Sequence, residues 1–278
     1  MTIGWAILLG LIQGIAEFLP ISSSGHLSII QNLFHGQTAE GHMLFDVLLH
    51  LGTLISVCVV YWADIVNMVR GLITLFRRTP SESGETRTKN AVGARLFLML
   101  VLGTLPLFLV LPLQDYVEQL YYNTTFIGIV LILTGVMLFA GDRLYRGRKN
   151  ERTMTVGNAL FIGLCQAIAT IPGLSRSGTT ITAGVAAGLD RTFAVRYSFL
   201  LSLPAILGAN ILSLIKACKT GIDISLLPAY LIGMAVAMIS GIAAIGLVKF
   251  ITNKAKFGNF AYYCWAAGLL TVILSLVL

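Results

Sequence analysis

A chain of 278 residues with 56% hydrophobic and only 11% charged side chains is not a soluble domain, because soluble domains carry about 25% charged residues. A mean hydropathy of +0.86 points instead to a polytopic helical membrane protein. The net charge of +7 would suit a nucleic acid, but the basic residues gather between apolar runs and read as orientation signals, so no nucleic-acid partner is expected.

The first apolar region, about 3–34, contains the string GLIQGIAEFLPISSSGH over residues 10–26. No Lys or Arg precedes Arg70, so no cleavable signal peptide is expected there. A helix-like run meets Pro20 and then lays down Ser22, Ser23, Ser24 and Gly25. Such a break belongs only where backbone is buried in protein or lines a watery cavity. His35 and His42 follow in a connection expected to be solvated. The run 43–62 is long enough to span a bilayer, which takes roughly 20 apolar residues. Asp46 and His50 lie at i, i+4 within it, a spacing read as structural. Arg70, Arg77, Arg78, Arg87, Lys89 and Arg95 come next, around a polar stretch, Thr79–Asn90, expected to be a flexible cytoplasmic loop.

Further spans are predicted near 95–113 and 125–144, separated only by Asp115 and Glu118. Arg143, Arg146, Arg148, Lys149 and Arg152 then precede a second broken region, about 157–188. It reads GLCQAIATIPGLSRSGT over 163–179, and so repeats the earlier string. Spans near 197–216, 226–248 and 260–278 complete the chain, with Lys216, Lys219 and Asp223 in one connection and Lys249, Lys254 and Lys256 in the next. Cys58, Cys165, Cys218 and Cys264 stand singly in apolar runs and read as small buried hydrophobes.

The expected fold is therefore all-α: six transmembrane helices plus two re-entrant helical hairpins. Residues 1–149 and 150–278 form two halves, each a hairpin and three spans. Three is odd, so the second half is inverted relative to the first, the plan of many proteins with a midplane site. A second echo supports the duplication, Phe45–Thr53 against Tyr197–Ala205. By the positive-inside rule the large basic clusters are cytoplasmic, so the Glu17 hairpin enters from outside and the Arg176 hairpin from the cytoplasm. The glycine-rich stretch Gly233–Gly246 offers a packing face to another internal helix or to a second copy, which leaves a homodimer open.

Glu17 is the only charged residue among the first 39, and an intramembrane carboxylate marks a functional site by default. Arg176 is the matching cation in the opposite hairpin. With Ser175, Ser177, Gly178 and Thr179 at a helix start, it makes a cradle for an anion. Ser22, Ser23, Ser24, Gly25 and His26 add hydroxyls, a tight turn and an imidazole on the facing side. An acid, a nucleophile and a base opposite phosphate clamps suit phosphoryl transfer. Each part alone has a plainer reading: a Glu–Arg pair that ties hairpins together, serines that serve close packing, a core histidine. Two other functions share the broken-helix plan. A lipid-phosphate flippase or anion transporter would use the same midplane site without breaking a bond. A serine intramembrane protease is the weaker option, because the Gly-x-Ser-Gly setting is absent.

Gln13, Glu17, the FLPISSSGH string and Pro172 through Thr179 resemble the two signatures of the bacterial undecaprenyl-diphosphate phosphatases of the BacA (UppP) family, and the resemblance extends over essentially the whole chain. It implies a C55 polyprenyl diphosphate substrate, hydrolysis of the terminal phosphate to recycle the carrier of cell-wall synthesis, and bacitracin resistance on overproduction. It also implies the bacterial cytoplasmic membrane and a divalent cation, Mg²⁺ or Ca²⁺. Some members carry Glu where this chain has Gln13, which leaves Glu17 as the one carboxylate of the first motif. On this basis the catalytic set is Glu17, Ser23, His26 and Arg176. Ser23 is the expected nucleophile with His26 as its base, and water or His26 itself are the alternatives. Phosphate is held by Ser22, Ser24, Gly25, Ser175, Ser177, Gly178 and Thr179, and the cation by Glu17 with Gln13. The site is expected to open to the outer side.

Overall fold

The computed structural model describes residues 1–34, 43–76, 84–143, 147–220, 224–254 and 257–277. His35, His42, Arg77, Arg78, Arg146, Asp223, Lys256 and the start of the Thr79–Asn90 stretch lie outside the described residues. All named elements are helices, and the one β contact is an isolated bridge between Lys149 and Leu189. The chain is a multi-pass membrane protein. Four single helices cross-length and apolar are α7 (Thr124–Gly141), α10 (Arg191–Thr220), α11 (Leu227–Lys254) and α12 (Asn259–Val277). A fifth span runs Thr88–Leu120, and the pair α3 (Met43–Val60) and α4 (Trp62–Phe76), bent by 78°, makes a sixth if the two helices form one broken span. Their outward faces expose large apolar residues such as Ile239, Leu269 and Ile273, as lipid contact requires.

Five of the expected spans are present as such, and the structure departs from the expected set at three places. The first breaks at Tyr61 rather than running straight. The second begins earlier, because Gly84–Asn90 is not loop but the start of α5 (Gly84–Thr104). The polar composition there had suggested a loop, yet Asn90 and Ala94 are buried, and α5 packs along α4. Beyond Thr104 the fifth span tightens into 3₁₀ turns at Leu105–Leu109 and Leu111–Leu113, each with Pro in its opening positions. It ends as α6 (Gln114–Leu120). Cys58, Cys165 and Cys264 are free thiols, and the side chain of Cys218 lies outside the described residues.

The two motif regions form two short broken pairs. In the first, α1 (Ile3–Phe18) starts on Thr2, whose side chain accepts from the Trp5 N–H. It stops because Leu19 precedes proline and is forced extended, at φ −67° and ψ 145°. After Pro20 the chain restarts as α2 (Ser23–Phe34). In the second pair, α8 (Val156–Ile168) starts with a capping box from Thr155 and Asn158. Pro172 and a left-handed Gly173 follow it, and α9 (Arg176–Ala186) resumes. At 16, 12, 13 and 11 residues no arm reaches the length of a span.

Each first arm lies on a long helix of the other half. α1 packs along α11, and α8 along α5. Glycine makes both approaches. A Cβ at Gly10 would sit 3.2 Å from Gly233 Cα, and one at Gly163 would sit 3.0 Å from Gly103 Cα. α3 and α10, which carry the Phe45–Thr53 and Tyr197–Ala205 blocks, pack against each other. α12 lies along α7.

Candidate active site

The second chain break is built by local capping. Ser175 is the N-cap of α9, and its hydroxyl accepts from the Gly178 N–H at 3.1 Å. Arg176 thereby becomes the first residue of the helix. The first break has the same design, with Ser22 accepting from the Gly25 N–H at 3.2 Å and Ser23 opening α2. Ser22 holds a left-handed φ of 70°, costly for a residue with a side chain, which turns the chain sharply enough to start a helix straight after proline.

The two breaks touch. A Cβ at Gly25 would lie 3.0 Å from Gly173 Cα, and one at Gly178 would lie 3.2 Å from Pro20 Cβ. Ser177 donates its hydroxyl to the Leu19 carbonyl at 3.1 Å. Neighbouring helices hold the arrangement. Thr134 of α7 donates to the Gly173 carbonyl at 2.9 Å, and Cys264 of α12 points its thiol at the Pro20 carbonyl, 3.7 Å away.

Glu17 sits at the centre, buried. Its Oε2 accepts from Ser23 Oγ at 2.5 Å and from Gln13 Nε2 at 3.1 Å, while Oε1 is ion-paired with Arg176 Nη2. The structure thus gathers Gln13, Glu17, Ser23 and Arg176 at one point, from α1, α2 and α9. Arg176 Nη1 and Thr179 Oγ1, buried on one face of α9, have no protein partner, and neither does Gln13 Oε1. A guanidinium N–H and a hydroxyl without protein acceptors, in the first turn of a helix, are donors of the kind that anionic oxygens take. Ser175 and Ser177 do not contribute hydroxyls to this set. One caps α9, the other straps Leu19, and they bond each other at 3.2 Å.

The structure does not bring His26 to Ser23. His26 lies one turn along α2, where its Nδ1 meets the Ser22 carbonyl at 2.7 Å, the same oxygen that accepts the His26 backbone N–H at 3.2 Å. Its Nε2 meets the Tyr263 hydroxyl at 2.7 Å, with the two rings stacked 5.6 Å apart. The partner of the Ser23 hydroxyl is the Glu17 carboxylate. Asp46 accepts from Gln31 at 3.4 Å, and His50 is bonded through Nδ1 to the Asp46 carbonyl at 2.8 Å while lying within electrostatic reach of Glu17.

Two residues of the site escape sequence reasoning, Tyr263 and Tyr121. The Tyr121 phenol bonds Ser24, and its carbonyl accepts from Asn32 at 2.9 Å. Burial pushes this phenol above its ordinary range in spite of the bond to Ser24, so it stays a neutral donor. Both tyrosines belong to doublets, Tyr121–Tyr122 and Tyr262–Tyr263, beside apolar spans, where they read as an interfacial belt.

Among the described residues no group of three or more His, Cys, Asp or Glu side chains forms a cage. The orphaned Gln13 Oε1 next to Glu17 is an oxygen corner without a donor. That set fits the way Mg²⁺ is held by one or two protein oxygens with substrate phosphate supplying others.

The model of the family described as bacitracin resistance protein BacA matches residues 6–270. The chain belongs to the BacA family. Curated relatives of this BacA chain carry the name undecaprenyl-diphosphatase. One from Desulforapulum autotrophicum is 40% identical over 279 residues, covering 98% of each chain. Another, from Methanosphaera stadtmanae, is 38% identical over 276 residues, again 98% of each. A third, from Halothermothrix orenii, is 37% identical over 276 residues and 99% of each.

Proposed function

We propose that this BacA protein hydrolyses undecaprenyl diphosphate to undecaprenyl phosphate and inorganic phosphate, recycling the lipid carrier of cell-wall polymers. The observation that carries the reading is the Ser23 hydroxyl, 2.5 Å from a buried carboxylate that is itself paired with Arg176. The names of the full-length relatives supply the substrate.

In this reading Arg176 Nη1 and Thr179 Oγ1 bind the terminal phosphate, with the α9 N-terminus adding its positive end. Ser23 Oγ attacks the terminal phosphorus as its proton passes to Glu17 Oε2. The bond from phosphorus to the bridging oxygen breaks, and undecaprenyl phosphate leaves. A water then attacks the phosphoserine and gives a proton to His26 Nε2. Glu17 returns its proton to Ser23 Oγ as phosphate departs. His26 is assigned to the second step because its ring nitrogens bond the Ser22 carbonyl and the Tyr263 hydroxyl, while the Ser23 hydroxyl bonds Glu17. Gln13 Oε1 and Glu17 would hold a Mg²⁺ or Ca²⁺ arriving with the diphosphate, whose chemistry is to neutralise phosphoryl oxygens.

The broken pairs α1–α2 and α8–α9 are read as re-entrant hairpins of an inverted repeat. Their short arms support this, as does a packing pattern that maps onto itself when the halves are exchanged. α1 on α11 answers α8 on α5, and α3 on α11 answers α10 on α5. The basic clusters support a cytoplasmic side for the connections that carry them, and with it a site open to the outer side of the bacterial cytoplasmic membrane.

The test is phosphate release from undecaprenyl diphosphate by purified protein, with Mg²⁺, Ca²⁺ or chelator, for wild type, Glu17→Ala and Arg176→Ala. Turnover in wild type alone is the expected result. Lipid transport without phosphate release would overturn the reading.

A further inference from the structure

We infer that Tyr263 is a positioning residue for the hydrolytic half of this reaction, holding His26 so that its Nε2 is the proton acceptor at the site. The inference rests on the phosphatase reading above. The Ser22 carbonyl can only accept, so the His26 Nδ1 at 2.7 Å carries the proton. Nε2 of the neutral ring is then an acceptor, and the Tyr263 hydroxyl, also at 2.7 Å, donates to it. The nearly parallel stacking, 12° between planes, fixes the ring's rotation as well as its tautomer. One face and both nitrogens of the imidazole are thereby specified by two partners, one on its own helix and one on α12.

The contact lies at the first break itself. His26 is half-buried and Tyr263 is exposed over 47% of its surface, so the phenol links the exposed face of α12 to the imidazole beside Ser22. The next residue, Cys264, aims at the Pro20 carbonyl. A single turn of α12 therefore registers both the backbone of the first break and the imidazole beyond it. Ser23, Glu17 and Arg176 make no contact with Tyr263, so Ser23 phosphorylation does not depend on its hydroxyl. The second step does: water oxygen bonds to phosphorus, its proton goes to Nε2 in place of the phenol's, and the bond from phosphorus to Ser23 Oγ breaks.

The decisive variant is Tyr263→Phe, which removes one oxygen and keeps the stack. Slowing only the second step lowers kcat and KM together and leaves kcat/KM unchanged. The expected fall in kcat is about tenfold, a fraction of what a general base contributes. Acid-quenched samples analysed by mass spectrometry should show phosphoserine at Ser23 accumulating. His26→Ala should accumulate it further, and the double variant should be no worse than His26→Ala alone. Tyr262→Phe, one residue away and packed on Trp265, should match wild type.

Wild-type kinetics in Tyr263→Phe would overturn the inference. So would a fall in kcat/KM without phosphoserine, since a merely structural contact gives that result. The underlying reading fails separately, if wild type releases no phosphate or Ser23→Ala keeps full turnover.

Discussion

Three donors converge on the Glu17 carboxylate among apolar helices, from Gln13, Ser23 and Arg176. Removing the cation and removing the anion are therefore different experiments. Arg176→Ala leaves a buried carboxylate uncompensated, which costs about 3–5 kcal/mol. It should lower the thermal midpoint as well as abolish turnover. Glu17→Gln keeps the shape but removes the base and leaves the Arg176 guanidinium without its anion, so kcat should fall about 10³-fold together with a loss of midpoint. Full turnover in Glu17→Gln would show that the pair is a strut and nothing more. Gln13→Glu adds a second carboxylate beside the first, and should bind Mg²⁺ or Ca²⁺ about tenfold tighter, a gain of about 1.4 kcal/mol. Thermal stabilisation by the cation in the absence of lipid would measure it. These four residues were legible in the sequence because polar and charged groups inside apolar runs have few structural uses. The wiring between them was not. Ser23 and His26 look like a nucleophile and its base on a string of letters, but a one-turn offset along α2 hands Ser23 to Glu17 and His26 to Tyr263.

At the scale of elements, the same tetrad of Ser, x, x and Gly starts α2 and α9, and each starts it with the hydroxyl of the first residue on the N–H of the fourth. The N-cap decides which way the next side chain points, so Ser175 acts through Arg176. Ser175→Ala should cost about 1 kcal/mol, a drop of roughly 2–4 °C in midpoint, with a rise in KM as Arg176 loses its fixed base. Ser175→Asp, which restores a cap, should recover the midpoint; failure to do so would mean the serine is needed for its bond to Ser177 instead. Breaks of this kind announce themselves through Pro, Ser and Gly, and both were readable from sequence to within a residue or two. The bend at Tyr61 and the helical start of α5 were not. Tyr61 has no proline beside it, and Pro80, Ser81 and Ser83 ahead of α5 stand in a polar stretch that reads as loop, so both features depend on packing. Gly71 of α4 lets the backbone of Ala94 on α5 come close enough that a Cβ would sit 3.1 Å from its Cα, a tertiary contact that local composition does not record.

Across the whole molecule the halves are interdependent by construction. The arm that carries Glu17 is bedded on α11, and the arm that leads to Arg176 is bedded on α5. Each half therefore supplies the floor for the other's site element. α7 with α12 and α3 with α10 join the halves again. Three further cross-links run between charged groups. Arg191 pairs with Asp142, Arg196 donates to Asp64 at 2.5 Å, and Lys216 donates to Glu118 at 2.6 Å. None of these contacts needs the covalent link between Arg143 and Gly147, since all lie within or beside the helices. Cutting the chain between Tyr145 and Arg146 and co-expressing the pieces 1–145 and 146–278 should then yield a complex that copurifies and releases phosphate, with kcat within a few-fold of the intact protein. Either piece alone should be inactive, because Ser23 and Arg176 are on different pieces. An active first piece would show that Arg176 is dispensable and that the site belongs to one half. Loss of copurification would show instead that the glycine-mediated contacts are too weak to hold without the link. The expected result follows from where the close contacts are. Gly10 and Gly163 each let one half's helix sink against a backbone of the other, and in a bilayer such packing supplies much of the association energy between helices.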